Sequence, residues 1–110
     1  MRSKTHSTDL AVRVAAVDDT KVWVELLGTA DLANHDHLQH TLSQIPLDGK
    51  DEVHVWLHRL TFCDSRALSH LEAFASEVRR RGQSITTHGA NRMLRRMSAI
   101  LGADRRLNLV

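Results

Sequence analysis

An aspartate and a serine stand together where an apolar strand is predicted to turn into an amphipathic helix. Asp64 and Ser65 follow a strand that begins at Val53, and the helix after them extends to Arg81. Open α/β sheets place their chemistry beyond the carboxyl ends of strands and at helix N-termini. A serine hydroxyl beside a carboxylate at such a corner suggests a catalytic set or a helix cap. We expect Ser65 to be the functional residue and the remaining chain to present it.

The structural alternative for Ser65 is an N-cap. In that role its hydroxyl accepts a hydrogen bond from a backbone N–H in the first helical turn, which contributes about 1 kcal/mol. Asp64, and Asp31 earlier in the chain, fit turn or cap chemistry as well as they fit a functional role. No motif places a histidine as a base for Ser65, so we do not expect the chain to be an enzyme.

Eight histidines raise the question of a metal site. His35, His37 and His40 lie close together, but their spacing matches no standard zinc motif, and the single Cys63 offers no cysteine pair. We expect these histidines on a solvated helix face, and we expect no metal and no cofactor. The five glycines are scattered single residues, so no glycine-rich loop supports nucleotide binding.

Size and composition are those of an ordinary globular domain. The chain has 110 residues, of which 42% are hydrophobic and 25% charged. Residues 1–64 hold six Lys/Arg and ten Asp/Glu, whereas residues 65–110 hold nine Arg and three acids. No nucleic-acid motif accompanies the basic half, so we expect solvated arginines and no direct nucleic-acid partner. No apolar run approaches the ~20 residues of a membrane span, and no signal peptide is evident, so we expect no membrane insertion and a cytoplasmic protein.

Apolar spacing predicts one α/β domain over residues 9–110, after a flexible tail at 1–8, with the order β-β-α-β-α-β-α-β. A hairpin followed by βαβ units gives a mixed β-sheet packed with helices. We expect Gly28 to end the second strand, Asp31 to cap the first helix, and the strand at 53–57 to be covered on both sides. The predicted strands are 9–16, 21–27, 84–88 and 107–110, together with one that runs from 53 into the corner at 60–68. The predicted helices are 33–45, 65–81 and 91–101.

The same patterns predict which side chains form the core. A helix that starts at Ser65 or Arg66 has its apolar stripe on one face, and the third helix is expected to turn Ile100 inward as well. The side chains expected to be buried are Leu26, Val55, Leu57, Phe62, Leu71, Phe74 and Leu101.

Three segments stand out by their order and spacing, namely residues 24–32 (VELLGTADL), 60–68 (LTFCDSRAL) and 94–103 (LRRMSAILGA). Together they resemble the STAS domain of bacterial anti-sigma factor antagonists. Residues 24–32 (VELLGTADL) are similar to the family's strand that ends in Gly-x-x-Asp. Residues 60–68 (LTFCDSRAL) are similar to its apolar-Asp-Ser-Ser-Gly-Leu corner, and residues 94–103 (LRRMSAILGA) to its third helix and glycine stop. The resemblance covers nearly the whole of residues 9–110.

This resemblance implies a regulatory protein-binding module. In the family, the serine at the position of Ser65 is phosphorylated by a serine kinase that is also the anti-sigma factor, and the unphosphorylated protein binds that factor and frees sigma. Partner binding is accordingly expected at Asp31, Asp64, Ser65 and Arg66, in one contiguous patch at one end of the sheet, with a serine phosphatase as a further partner.

The chain departs from the family pattern at three positions. Arg66 replaces the family's second serine, Ala67 its glycine, and Trp56 the usual acid or amide in the preceding strand. Arg66 can block the approach of a kinase, or it can pair with Asp31, Asp64 or a phosphate. The alternative function is therefore a STAS scaffold that is not phosphorylated and serves as an interaction subunit of a stress-signalling or lipid-transport assembly.

Overall fold

The sheet begins with an antiparallel hairpin, to which two parallel strands are added. The computed structural model describes residues 9–110, so the predicted tail at 1–8 lies outside the described residues. The strands are hydrogen-bonded in the order β1-β2-β3-β4, with only the first pair antiparallel, which confirms the predicted mixed sheet. The elements are β1 (Leu10–Val17), β2 (Lys21–Ala30), α1 (His35–Ser43), β3 (Glu52–Cys63), α2 (Ser65–Arg80), β4 (Ser84–His88), α3 (Arg92–Leu101) and α4 (Asp104–Leu107).

The core lies between one face of the sheet and the apolar stripes of α1 and α2. Alternating residues of β2 and β3 point into it because side chains of a strand alternate between its two faces. Helix α2 adds residues at the spacing of three and four that places them on one face. Five of the seven predicted core residues are buried, namely Leu26, Val55, Leu57, Leu71 and Phe74.

The burial prediction is wrong for three apolar residues. Phe62 is 40% exposed, Leu101 is 50% exposed and Ile100 is 76% exposed. Phe62 lies at the end of β3, and the other two lie on the last turn of α3, on a side that nothing in residues 9–110 covers. The apolar spacing of α3 is correct, but the chain buries only part of the stripe.

No helix within residues 9–110 covers the second face of the sheet, so the prediction of a β3 strand covered on both sides is wrong. On that face the Trp23 ring stacks on His54, with 4.0 Å between ring centroids. His54 Nδ1 lies 3.0 Å from His88 Nε2, and His54 Nε2 lies 2.9 Å from a Glu52 carboxylate oxygen. His58 is exposed on the same strand. The aromatic and imidazole rings shield one another there, which explains why these side chains are half-buried without a covering layer.

The predicted last strand at 107–110 is also wrong. The chain forms the short helix α4, and only Leu109 pairs with a strand, in a single parallel bridge to Thr87. Leu107 is buried at the end of α4 and Asn108 adopts a left-handed conformation with φ of 51°. The order of elements is therefore β-β-α-β-α-β-α-α.

Strand β2 is longer than predicted, while β3 runs to the corner at Asp64 as expected. The ends of these two strands decide where the site lies. β2 does not end at Gly28 but passes through it with an irregular register and continues to Ala30. β3 extends to Cys63, which pairs with Ala30. Both strands thus reach the same edge of the sheet. None of the helices within residues 9–110 is long and apolar enough to cross a membrane.

Candidate functional site

The site lies at the carboxyl edge of the two central parallel strands. The backbone N–H of Asp64 donates to the carbonyl oxygen of Ala30 at 3.0 Å, which ties the end of β3 to the end of β2. The turn that contains Asp31 and the corner that contains Ser65 therefore leave the sheet side by side. Ligands and partners of α/β sheets bind at this kind of edge.

Asp64, and not Ser65, is the N-cap of α2. Its backbone is extended, and one of its carboxylate oxygens accepts a hydrogen bond of 2.9 Å from the N–H of Ala67. Ser65 is the first helical residue, which confirms the predicted helix start but not the predicted cap. Asp64 takes the cap because its side chain, with extended backbone, reaches the N–H three residues ahead.

Because Asp64 caps the helix, the Ser65 hydroxyl is not needed as a cap. Ser65 is exposed, and within residues 9–110 its hydroxyl makes no hydrogen bond. The next serine on the same helix face, Ser69, is engaged, since its hydroxyl donates to the carbonyl oxygen of Ser65 at 3.1 Å. Of these two serines, Ser65 alone presents a free, accessible nucleophilic oxygen.

Asp31 shapes a turn and does not cap α1. Its carboxylate accepts from the N–H of Ala33 at 3.0 Å, and its own N–H donates to the Asn34 side chain at 2.9 Å. The Asn34 amide also donates to the carbonyl oxygen of Thr29 at 2.9 Å. Helix α1 begins only at His35, two residues later than predicted. The buried Asn34 thus fixes the turn that carries Asp31 to the edge.

Arg66 is an exposed cation next to Ser65. Within the described part of the chain it forms no ion pair with Asp31, Asp64 or any other acid. Two of the possibilities for Arg66 are therefore not realised in this structure. Its guanidinium remains available to a group outside the chain.

A pair of histidines joins α1 to α2 beside Ser65. His35 Nδ1 lies 3.0 Å from His70 Nε2, and the two rings are stacked with 5.2 Å between centroids. The prediction of a solvated face is wrong for His35, whose side chain is only 19% exposed. Both histidines line a crevice of about 620 Å³ together with Ser65, Arg66, Ser69, Glu72 and Leu101. Sequence reasoning did not single out His70, because its partner lies 35 residues away in the chain.

The surroundings of His70 disfavour its protonated form. Burial, then the neighbouring His35, lowers the pKa of His70 below its ordinary value of 6.5, while Asp36 opposes this and Arg66 adds to it. The pKa of His88, on the open face of the sheet, is lowered by burial and by His54 and His58. Both histidines therefore bind protons less readily in the folded state than in the unfolded state.

Folding stability should decrease as the pH falls below about 6.5. The unfolded chain then binds more protons than the folded chain at these histidines, so acid favours unfolding until the pH passes below their folded-state pKa values. We expect a lower melting temperature at pH 5.5 than at pH 7.5, and a smaller difference in the His70→Gln variant. His40→Gln, on the exposed side of α1, is the control and should keep the wild-type difference. If the melting temperature differs equally between the two pH values in all three proteins, His70 does not contribute to the pH dependence.

Asp64→Ala should lower the free energy of unfolding by about 1 kcal/mol, since it removes the cap of α2. Ser65→Ala should change it by less than about 0.5 kcal/mol, because the Ser65 hydroxyl bonds to nothing in the described chain. Urea denaturation of both variants measures the difference. If Ser65→Ala lowers the free energy of unfolding as much as Asp64→Ala does, the cap has been assigned to the wrong residue.

Cys63 is the residue before the cap and is buried. Burial, followed by the charge of Asp64, raises the pKa of its thiol to about 12. The thiolate needed for nucleophilic or metal-binding chemistry is therefore scarce at neutral pH. Within residues 9–110 no group of three or more His, Cys, Asp or Glu side chains is arranged to hold a metal ion.

Comparison with known proteins assigns the chain to a family. A family model described as "Mlab, STAS domain" matches residues 13–110. No curated protein matches the chain. An anti-sigma factor antagonist from Mycobacterium paratuberculosis has a similar structure, with a TM-score of 0.78 and 18% identity over 91% of this chain and 84% of that one.

Two other solved structures show how widely this fold is used. The Bacillus cell fate determinant SpoIIAA in its phosphorylated form has a TM-score of 0.68 and 15% identity, over 91% of each chain. A sulfate transporter family protein from Wolinella succinogenes has a TM-score of 0.69 and 18% identity, over 86% of this chain and 79% of that one. At these identities the structural likeness establishes the fold, and the family model covers most of the sequence. The chain therefore belongs to the STAS-domain family.

Proposed function

We propose that this chain is an anti-sigma factor antagonist, which binds an anti-sigma factor with serine kinase activity and is switched by phosphorylation of Ser65. The observation that carries the proposal is the free hydroxyl of Ser65. It stands exposed at the carboxyl edge of the sheet, while the neighbouring Asp64 performs the capping that the hydroxyl would otherwise perform. A kinase can modify this oxygen without first breaking a hydrogen bond to it.

The surroundings of Ser65 can also accommodate the product. The first turn of a helix favours an added anion, and a phosphoserine carries about −1.5 to −2 charges at neutral pH. Arg66 is the next residue and pairs with no acid in the described chain, so it is available to the phosphate oxygens. SpoIIAA, a protein of the same fold, has been solved both phosphorylated and unphosphorylated.

The partner surface is proposed to include Asp31, Asp64, Ser65 and Arg66. These residues belong to two turns that leave the sheet side by side, tied by the hydrogen bond from Asp64 to Ala30. The chain itself acts by binding and not by catalysis. In the described chain, neither of the two histidines in the crevice hydrogen-bonds to the Ser65 hydroxyl, so neither is in place as its base. We place this activity in the cytoplasm, where a serine kinase, and a phosphatase that reverses the modification, would act.

Mass spectrometry after incubation with the cognate kinase and ATP tests the proposal. We expect one phosphate on the wild-type protein and none on Ser65→Ala. Ser69→Ala is the matched control, one helical turn along, and should still be modified. A wild-type protein that stays unmodified, or a Ser65→Ala variant that is modified, would refute the assignment of Ser65.

The second candidate is a STAS interaction subunit that is not phosphorylated and belongs to a stress-signalling or lipid-transport assembly. Two observations favour it. The matching family model carries the Mlab description, and Arg66 occupies the position next to the acceptor, where it can obstruct a kinase. Affinity isolation from the native cell separates the candidates. A histidine-kinase-like ATPase as the bound protein supports the first, and an ABC-transporter subunit supports the second.

A further inference from the structure

Helix α3 has an apolar sector that is wider than the part buried by its own chain. Leu94 and Ser98 are buried, and Met97 packs against the core. At 100° per residue, the apolar side chains continue around the helix for roughly 120° from Leu94. The exposed members of this sector are Met93 at 46%, Leu101 at 50% and Ile100 at 76% of their full surface. A helix that needed only to pack on this domain would carry polar residues there.

These exposed side chains form a groove next to Ser65. A cavity of about 370 Å³ is lined by Ser65, Met93, Arg96, Met97, Ile100 and Leu101. Apart from Ser65 and Arg96, every lining residue is apolar, and the volume falls in the range of about 300–1,000 Å³ that is typical of binding pockets. The start of α3 is held in place because Asn91 caps it and donates to the carbonyl oxygen of Thr61 in β3. The groove is therefore a fixed feature of the fold.

Three exposed arginines lie in or near the groove. Arg96 lines it, Arg92 lies one turn earlier on α3, and Arg66 follows Ser65 on α2. None of these three arginines forms an ion pair in the described part of the chain, and α3 contains no acidic residue. Arg95, by contrast, is engaged with the carbonyl oxygens of Ala90 and Val110. The groove thus combines an apolar floor with unneutralised cations.

We propose that the groove between α3 and the start of α2 receives an acidic segment of a protein partner, anchored by an apolar side chain. The acidic charge complements the unpaired arginines, and the anchor fills the apolar cavity. An anionic membrane would also attract a basic, apolar helix. It favours a broad apolar face that enters the lipid, however, whereas here the apolar side chains line a small, open pocket next to a serine.

This inference rests on the proposed function, because it names the chemistry of the partner surface that Ser65 would control. It extends that surface to α3, which the sequence argument had not included. Ser65 lines the groove, so a phosphate on its hydroxyl would place negative charge where the acidic segment binds. Like charges then oppose the contact and the segment leaves.

Titration with designed peptides, followed by NMR chemical shifts, tests the groove without a kinase. The probe is a 14-residue helical peptide with two leucines four positions apart, flanked by glutamates. The control has the same sequence with lysine in place of every glutamate. We expect the glutamate peptide to shift the amide signals of Met93, Arg96, Ile100 and Leu101, and the lysine peptide to bind at least tenfold more weakly. Vesicles of anionic phospholipid are the third probe and should leave these signals unchanged.

Variants with matched controls locate the contact. Ile100→Ser and Arg96→Glu should each weaken binding of the glutamate peptide at least tenfold. Val17→Ser removes an apolar side chain that is 49% exposed on β1. Arg59→Glu reverses an exposed arginine on β3 that forms no ion pair within residues 9–110, so both variants should bind as wild type does. All four positions are exposed, so folding should persist in every variant.

The groove and the proposed function of Ser65 can fail independently of each other in these experiments. The inference is overturned if the glutamate peptide shifts no α3 signal at millimolar concentration, if both peptides bind equally, or if vesicles rather than the peptide occupy α3. It is also overturned if Ile100→Ser and Arg96→Glu bind a cognate kinase as tightly as wild type, a result that leaves the proposed function intact. If no kinase modifies Ser65, the proposed function fails while the peptide titration still decides the groove.

Discussion

Gly28→Ala is expected to lower the free energy of unfolding by about 3 kcal/mol, a large effect for one methyl group. Gly28 has a φ of +97°, a backbone angle that residues with a Cβ rarely adopt. A Cβ built at this position would lie 1.9 Å from the carbonyl oxygen of Asp9. That oxygen also accepts the N–H of Thr29 at 2.9 Å, so it cannot move aside without loss of the hydrogen bond that aligns β1 with β2. Backbone strain and the lost bond contribute about 1–2 kcal/mol each.

Gly82→Ala separates these two causes. Gly82 follows α2 with φ of +81°, but a Cβ there would have no atom within 4 Å. The free energy of unfolding of this variant should therefore fall only by the cost of the left-handed backbone, about 1 kcal/mol. Urea denaturation of both variants provides the comparison. Equal losses would mean that the backbone of β1 yields to the new methyl group and that the close approach of Asp9 is not rigid.

The element types follow from local periodicity, which is why the sequence predicts most of them. Both periods depend only on neighbours in the chain. The alternation at 21–27 and 53–57 predicts strands, the spacing at 65–81 predicts a helix, and the structure has these elements there. The last element is wrong because residues 104–110 form too short a segment for either period to be decisive. The left-handed Asn108 ends the helix before a strand can extend.

Burial is less predictable than periodicity, because an apolar stripe does not reveal what covers it. Leu71 and Leu101 look alike in the pattern, but one is 3% exposed and the other 50%. The residues that the sequence wrongly assigned to the core, Phe62, Ile100 and Leu101, are exposed near the Ser65 end of the domain or in the groove itself. An apolar pattern that is selected for packing against another chain resembles one that is selected for the core.

The corner of the site was predictable to within one residue, and its histidines were not. The motif identifies Asp64 and Ser65, but only the extended backbone of Asp64 decides which of them caps α2. The contact between His35 and His70 depends on how α1 packs against α2, and no local pattern encodes it. Long-range side-chain pairs of this kind require the tertiary structure.

Ser65→Glu is expected to weaken binding of the proposed partner, an anti-sigma kinase, by two or more orders of magnitude, which corresponds to about 2.7 kcal/mol or more. The glutamate adds a negative charge next to Asp64, where the proposed acidic segment of a partner would meet like charge. The melting temperature should stay close to that of wild type. The hydroxyl that is lost makes no hydrogen bond in the described chain, and an acid in the first turn interacts favourably with the helix dipole.

Calorimetric titration of Ser65→Glu and three control variants distinguishes charge from size. Ser65→Gln has nearly the same shape as Ser65→Glu but no charge, so it should retain most of the affinity, and Ser65→Ala should bind as wild type does. Ser76→Glu adds the same charge at an exposed position three turns along α2 and should also bind normally. If Ser65→Gln loses as much affinity as Ser65→Glu, the effect is steric. If Ser65→Glu binds like wild type, negative charge at this position does not control the partner, and Ser65 is not a switch.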